Sequence, residues 1–178
     1  MGPGLIARRT LFLALLAAGC RSGGAATRPA DGGIAVEWSG TARGALAAPA
    51  QALWCARDTL LEITAVRNDT AVGLALIPRD SLTPGSYSVF SARVFTPFRP
   101  QANVALRWLA QTDLRGYESA SGSVVITEAG PAGVSGRIEA VLRLPTGGDS
   151  IRLIGGFSRL AVGKAPEACG RANRPGAG

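Results

Sequence analysis

Residues 121–162 read "SGSVVITEAGPAGVSGRIEAVLRLPTGGDSIRLIGGFSRLAV", and along them apolar and polar residues alternate with a period of two. Val124 and Ile126 share one face of a first strand. In a second, Val134, Ile138, Ala140, Leu142 and Leu144 fall on one side, and Ser135, Arg137, Glu139 and Arg143 on the other. A third opens with Ile151 and Leu153 inward. The turn chemistry of "EAGPAG" (128–133) and "PTGGDS" (145–150) joins the three into an antiparallel meander. The pair Gly155-Gly156 leaves two positions without a side chain, which predicts a bulge or bend that resets the side-chain phase before Phe157.

The same period runs back towards the N-terminus. In "IAVEWSGTA" (34–42) Ile34, Val36 and Trp38 oppose Glu37 and Ser39, and in "NVALRWLA" (103–110) Val104, Leu106 and Trp108 oppose Ala105, Arg107 and Leu109. Residues 59–67 and 70–77 alternate on either side of Asn68-Asp69, which predicts a β-hairpin. "SYSVFSARVF" (86–95) is extended until "TPFRP" breaks it. "GALAAPAQALWCA" (44–56), alanine-rich and interrupted by Pro49, is either an irregular strand or one helical turn. The sum is an all-β domain over 34–169, a single antiparallel β-sandwich of eight or nine short strands, with a small closed β-barrel as the alternative.

Ahead of the domain stands "LFLALLAAGC" (11–20). Arg8 and Arg9, a short apolar run and then Ala17, Ala18 and Gly19 follow the order of a secretory signal. As a helix the run would be about 14 Å long, against roughly 30 Å of bilayer hydrocarbon, so it is too short to span. "LAAGC" resembles the lipobox of bacterial lipoproteins. That resemblance implies cleavage after residue 19, acylation of Cys20 and permanent attachment of the protein to a membrane, since stable anchoring takes more than one chain. Arg21 stands where the inner-membrane retention signal has Asp, which implies sorting to the outer membrane where the cell has one. Arg8-Arg9-Thr10-Leu11-Phe12 also loosely resembles a twin-arginine export signal. Residues 20–33, rich in Gly, Ala, Ser and Pro, then form a flexible linker, and residues 170–178 a disordered tail.

Composition excludes more than it assigns. The net charge of +7, which cleavage after residue 19 would reduce to +5 by removing Arg8 and Arg9, is carried almost wholly by arginines, and those beyond the signal are scattered from 21 to 174, with Lys164 the only lysine. There is no basic run for tracking phosphates, so nucleic acid is not an expected partner, whereas a weak attraction to anionic lipid or glycan surfaces is. The absence of histidine removes Ser-His-Asp and Cys-His chemistry and His-ligated metals. With Cys20 taken by lipid, Cys55 and Cys169 remain in an oxidising compartment and are expected to form a disulfide.

Candidate sites are few. Trp38, Trp54, Trp108, Tyr87 and Tyr117 could offer a platform for sugar rings, although Trp38 and Trp108 share faces with aliphatic residues and so belong to the core. The polar segment "QTDLRGYESAS" (111–121) reads as a loop, with Tyr117 its exposed aromatic. Asp113, Arg115, Tyr117 and Glu118 are therefore the candidate binding loop, together with "PRDSLTPG" (78–85). Glu118 with Asp113 or Glu128 could in principle form the carboxylate pair of a glycoside hydrolase, although twelve scattered acidic residues nearly always bring some pair close in space. "NDT", "RDS" and "GGDS" each hold one acid, too few for a calcium site. The "GG" and "SGS" stretches precede no helix and are not phosphate loops. No catalytic residue, metal or cofactor is assigned.

The "GSVVITE" (122–128), "VSGRIEAVL" (134–142) and "GGF" (155–157) segments, ahead of a terminal Cys, are similar to those of uncharacterised all-β bacterial envelope lipoprotein domains. This implies a fold and a setting without an activity. The expectation is a lipid-anchored envelope protein, not an enzyme, that binds a protein or glycan partner or serves as a structural component. Two alternatives stand behind it: a carrier of small apolar ligands in a barrel cavity and, more remotely, the glycoside hydrolase.

Overall fold

The computed structural model of the chain describes residues 28–91 and 100–165. They are all-β, and no helix occurs among them. The strands are β1 (Gly33–Gly40), β2 (Gly44–Cys55), β3 (Leu60–Arg67), β4 (Thr70–Ile77), β5 (Gly85–Val89), β6 (Gln101–Ala110), β7 (Asp113–Gly130), β8 (Gly133–Arg143), β9 (Ser150–Leu160) and β10 (Val162–Lys164). The count is one above the range expected, because β10 is a short strand at the exit of the chain. The alanine-rich segment containing Pro49 is strand β2, and the hairpin across Asn68-Asp69 is β3–β4, paired from Arg67↔Thr70 to Leu61↔Leu76.

All ten strands belong to one sheet, and β1 is hydrogen-bonded on one edge to β9 and on the other to β2. The pairing therefore runs β1-β2-β3-β4-β6-β7-β8-β9 and back to β1, antiparallel throughout. The layers of the expected sandwich are thus joined through β1 into one continuous sheet, which leaves few unpaired strand edges to template aggregation. The other two strands fill gaps. β5 wedges between β6 and β7 where they splay, parallel to the first and antiparallel to the second. Buried Ser119 closes that fork, accepting from Val104 N at 3.2 Å and donating to Phe90 O at 2.6 Å. β10 runs parallel to β2 over Ala52–Trp54, taking the place beside β2 that β1 does not reach.

Alternation places one face of every long strand inside. Ile34, Val36, Leu61, Ile63, Leu74, Leu76, Val104, Leu106, Val124, Ile126, Ile138, Leu142, Ile151 and Leu153 are all buried in one continuous core. These are the inward positions that the two-residue period marks, and burial of their apolar surface is the main term favouring the fold. Gly155-Gly156 does not behave as expected. The β8–β9 register runs unbroken from Leu142↔Ile151 to Gly136↔Phe157, and Phe157 stays in phase with Ile151 and Leu153. The bulge comes two residues later, where Ser158 and Arg159 together face Ser135. The glycines serve close strand approach instead: a Cβ on Gly155 would lie 2.1 Å from Ala35 O.

The closed sheet has two distinct ends. At the hairpin end lie the turns 41–43, 68–69, 111–112 and 144–149. At the other, the tether end, the chain enters through residues 28–32 and leaves after Lys164. Residues 31–33, assigned by sequence to the linker, are already tied to the sheet. Asp31 bridges to Ser158, Gly32 N donates to Ser158 O at 2.8 Å, and Gly33 pairs with Pro49.

Candidate functional site

At the hairpin end the interior is plugged by three aromatic rings. Trp38 reaches across from β1 and stacks on Trp108 of β6, centroids 5.8 Å apart, and Trp108 stacks on Tyr117 of β7 at 5.1 Å with 7° between planes. β1 and β6 lie on opposite walls of the ring of strands, so the stack spans the interior. Gly44 makes room for it, since a Cβ there would meet the Trp38 ring at 2.4 Å. Above the plug is a recess of about 410 Å³ lined by Ala42, Trp108, Ala110, Gln111, Asp113 and Arg115. Arg115 faces Asp149 of the β8–β9 turn at 3.8 Å, an exposed pair.

These placements correct the sequence reading of the polar segment. Only Gln111-Thr112 is a turn. Asp113, Arg115, Tyr117 and Glu118 lie on strand β7, and Tyr117, expected to be the exposed aromatic, is 1% exposed. The strand nevertheless brings Asp113, Arg115 and Tyr117 together, because residues two apart share a face: Tyr117 opposes Leu106 and Arg115 opposes Trp108, both inward positions. Glu118 points to the outer face, opposite Ala105 and Arg143. The loop 78–85, expected to join them, lies at the tether end, where Tyr87 Oη donates to Thr83 O at 3.2 Å.

The carboxylate pairing also fails geometrically. Asp113, Glu118 and Glu128 sit on one strand. Five residues of strand span roughly 17 Å, beyond the 5–9.5 Å that glycoside hydrolysis uses. The aromatic platform fails as well, since Trp38, Tyr87 and Tyr117 are buried. Among the described residues no group of acids or cysteines is placed to hold a metal ion.

A second recess, of about 700 Å³, opens on the outer surface at the tether end and draws on four segments, 28–31, 127–128, 135–137 and 155–159. Two bulges coincide there. Thr127 is the extra residue between the pairs Ile126↔Gly136 and Glu128↔Ser135, and Ser158-Arg159 are the extra residues opposite Ser135. Ser135 Oγ donates to Glu128 Oε2 at 2.9 Å and accepts from Arg159 N at 3.0 Å. Arg159 is left-handed at φ 45°, a conformation that costs a residue with a Cβ roughly 1–2 kcal/mol. Asp31 takes both Ser158 Oγ at 2.9 Å and the Arg159 guanidinium at 3.1 Å. The sequence reading misses this cleft. Its only trace there is the glycine pair 155–156, which puts the bulge two residues too early.

Compared with protein-family models, with curated proteins and with solved structures, the chain matches none.

Proposed function

We propose that this is an exported, lipid-anchored envelope protein, a non-enzymatic binding module held to the membrane at its tether end and presenting the Trp108–Asp113–Arg115 recess at the other. The observation that carries this reading is the polarity of the fold. The chain enters at residues 28–32 and leaves after Lys164 at one end, while the recess opens at the opposite end. An acylated Cys20 would then hold the tether end at the bilayer and leave the recess directed outward.

A packed interior, with Leu61, Ile63, Leu74, Leu76 and Leu106 inside and three rings across one end, favours a binding surface over a carrier's cavity. The expected Cys55–Cys169 disulfide, which an oxidising compartment would allow, fits the surroundings of Cys55, which is buried at the end of β2. Ala165 N donates to Trp54 O at 3.0 Å, so the chain passes Cys55 four residues before Cys169. Four residues reach up to about 14 Å, ample for the 4.4–6.8 Å that a disulfide requires between Cα atoms. Cys169 itself, like Cys20, lies outside the described residues.

The test is metabolic labelling with an alkyne fatty acid. Label that is present in the wild-type chain and lost in Cys20→Ser supports the anchor; label that survives the substitution overturns it. A photo-crosslinker at residue 115 should then capture an envelope protein or glycan that one at residue 57, on the tether-end loop beside the bilayer, does not. Equal capture from both positions would refute the assigned polarity.

A further inference from the structure

The outer cleft at the tether end holds more cationic groups than it neutralises. Arg28, Arg137 and Arg159 line it with Asp31 and Glu128. Arg159 is paired with Asp31, and Glu128 accepts from Ser135. Arg28 and Arg137 have no ion-pair partner among the described residues. Arg137 is exposed and sits beside Gly156, its Cα partner on β9, where a Cβ would lie 2.5 Å from Gly136 O. No side chain at that position stands between the guanidinium and the cleft floor.

The two bulges and the left-handed Arg159 are the costly part of this arrangement, and they shape this cleft. Bulges re-aim side chains where they occur. Here the bulge at Ser158-Arg159 sends both side chains to one carboxylate, Asp31, and so ties the incoming chain against the wall that carries Arg137. Location supplies the ligand. Cys20 precedes Arg28 by eight residues, a reach of at most about 28 Å, so an acyl anchor on Cys20 would keep the cleft beside the bilayer surface.

We infer that this cleft seats the phosphate of an anionic phospholipid, gripped by Arg137 and Arg28 beside the Asp31-held Arg159. The inference rests on the lipid-anchor reading, because only the anchor brings this end of the fold to a membrane. The phosphate chemistry itself could equally be met by a free anion.

The experiment uses the mature chain from residue 20 to 178 carrying Cys20→Ser, which takes no acyl group, so that vesicle binding and acylation are read separately. Cosedimentation is measured with vesicles of phosphatidylcholine alone and of phosphatidylcholine mixed with phosphatidylglycerol. Binding is expected only to the mixed vesicles. It should fall about fivefold in Arg137→Gln and about twenty-five-fold in Arg28→Gln/Arg137→Gln, with circular dichroism unchanged. Arg43→Gln and Arg107→Gln remove the same charge elsewhere on the surface and should leave binding as it was. Equal losses in these controls, or equal retention on both vesicles, overturn the inference. Inorganic phosphate at matched ionic strength is the second arm. Displacement of the wild-type chain from mixed vesicles supports the site, whereas Arg137-dependent phosphate binding without vesicle retention overturns the lipid assignment in favour of a soluble anion.

Discussion

Two buried tyrosines in this fold differ in one respect, and Tyr→Phe substitution at each should move stability in opposite directions. Tyr117 is 1% exposed, stacked on Trp108, and its hydroxyl has no hydrogen-bond partner among the described residues. A buried hydroxyl left unpaired costs roughly 1–3 kcal/mol. Tyr117→Phe removes the oxygen and keeps the ring stack, so the variant should gain on the order of 1–2 kcal/mol, the lower part of that range allowing for the lost contacts of one atom. Tyr87 is 2% exposed, and its hydroxyl donates to Thr83 O at 3.2 Å and accepts from Thr83 N at 3.4 Å. Tyr87→Phe should lose about 0.5–1.5 kcal/mol. Urea unfolding followed by tryptophan fluorescence measures both, with the midpoint moving up in one variant and down in the other at unchanged slope. In a thermal scan each kcal/mol should appear as about 3–5 °C. If Tyr117→Phe is destabilised by as much as Tyr87→Phe, the Tyr117 hydroxyl is hydrogen-bonded in solution and is not an unpaired buried group.

Other substitutions separate backbone constraint from open space. Gly122 has φ 127°, and a Cβ there would lie 2.2 Å from Glu139 O; Gly122→Ala should therefore cost about 2–4 kcal/mol in urea unfolding. Gly73, in β4, has open space where a Cβ would stand, with nothing within 4 Å, so Gly73→Ala should be neutral or stabilising by up to about 1 kcal/mol in the same assay. At the β3–β4 turn Asn68 is left-handed at φ 51°. Asn68→Gly should be tolerated while Asn68→Val loses about 1–2 kcal/mol, and equal midpoints for the two would refute the turn geometry. The Cys55–Cys169 bridge would close a loop of roughly 115 residues and contribute about 4.7 kcal/mol by loop-closure entropy. Mass measurement of exported protein with and without reductant should show no alkylatable thiol at these positions until reduction.

Much of the wall of this molecule is legible in the sequence because strand alternation is a local property. Ile34, Val36, Val104, Leu106, Ile138, Leu142, Ile151 and Leu153 each reveal their side of the sheet from neighbours two residues away, and all are buried. The β3–β4 hairpin is equally legible, since Asn68-Asp69 lies between two alternating runs and tolerates the turn conformation. The segment 111–121 misleads for the opposite reason. Its polarity is that of a loop, yet it is paired along β6 and β8, and its outermost residues rise above the core to form the rim of the end recess.

What the sequence determined by itself is the class of the fold, the inward face of the long strands and the position of the central hairpin, because a period of two and a tight turn are written in adjacent residues. Closure of the sheet depends on β1 finding both β2 and β9, and residue 35 meets residue 156 only once the ring has formed. Burial of Tyr117 depends on Trp108 and on Trp38 arriving from the far wall, and the basic cleft on four segments spread from residue 28 to residue 159. Only the tertiary structure decides such features, since each is a meeting of side chains whose separation along the chain carries no trace of their separation in space.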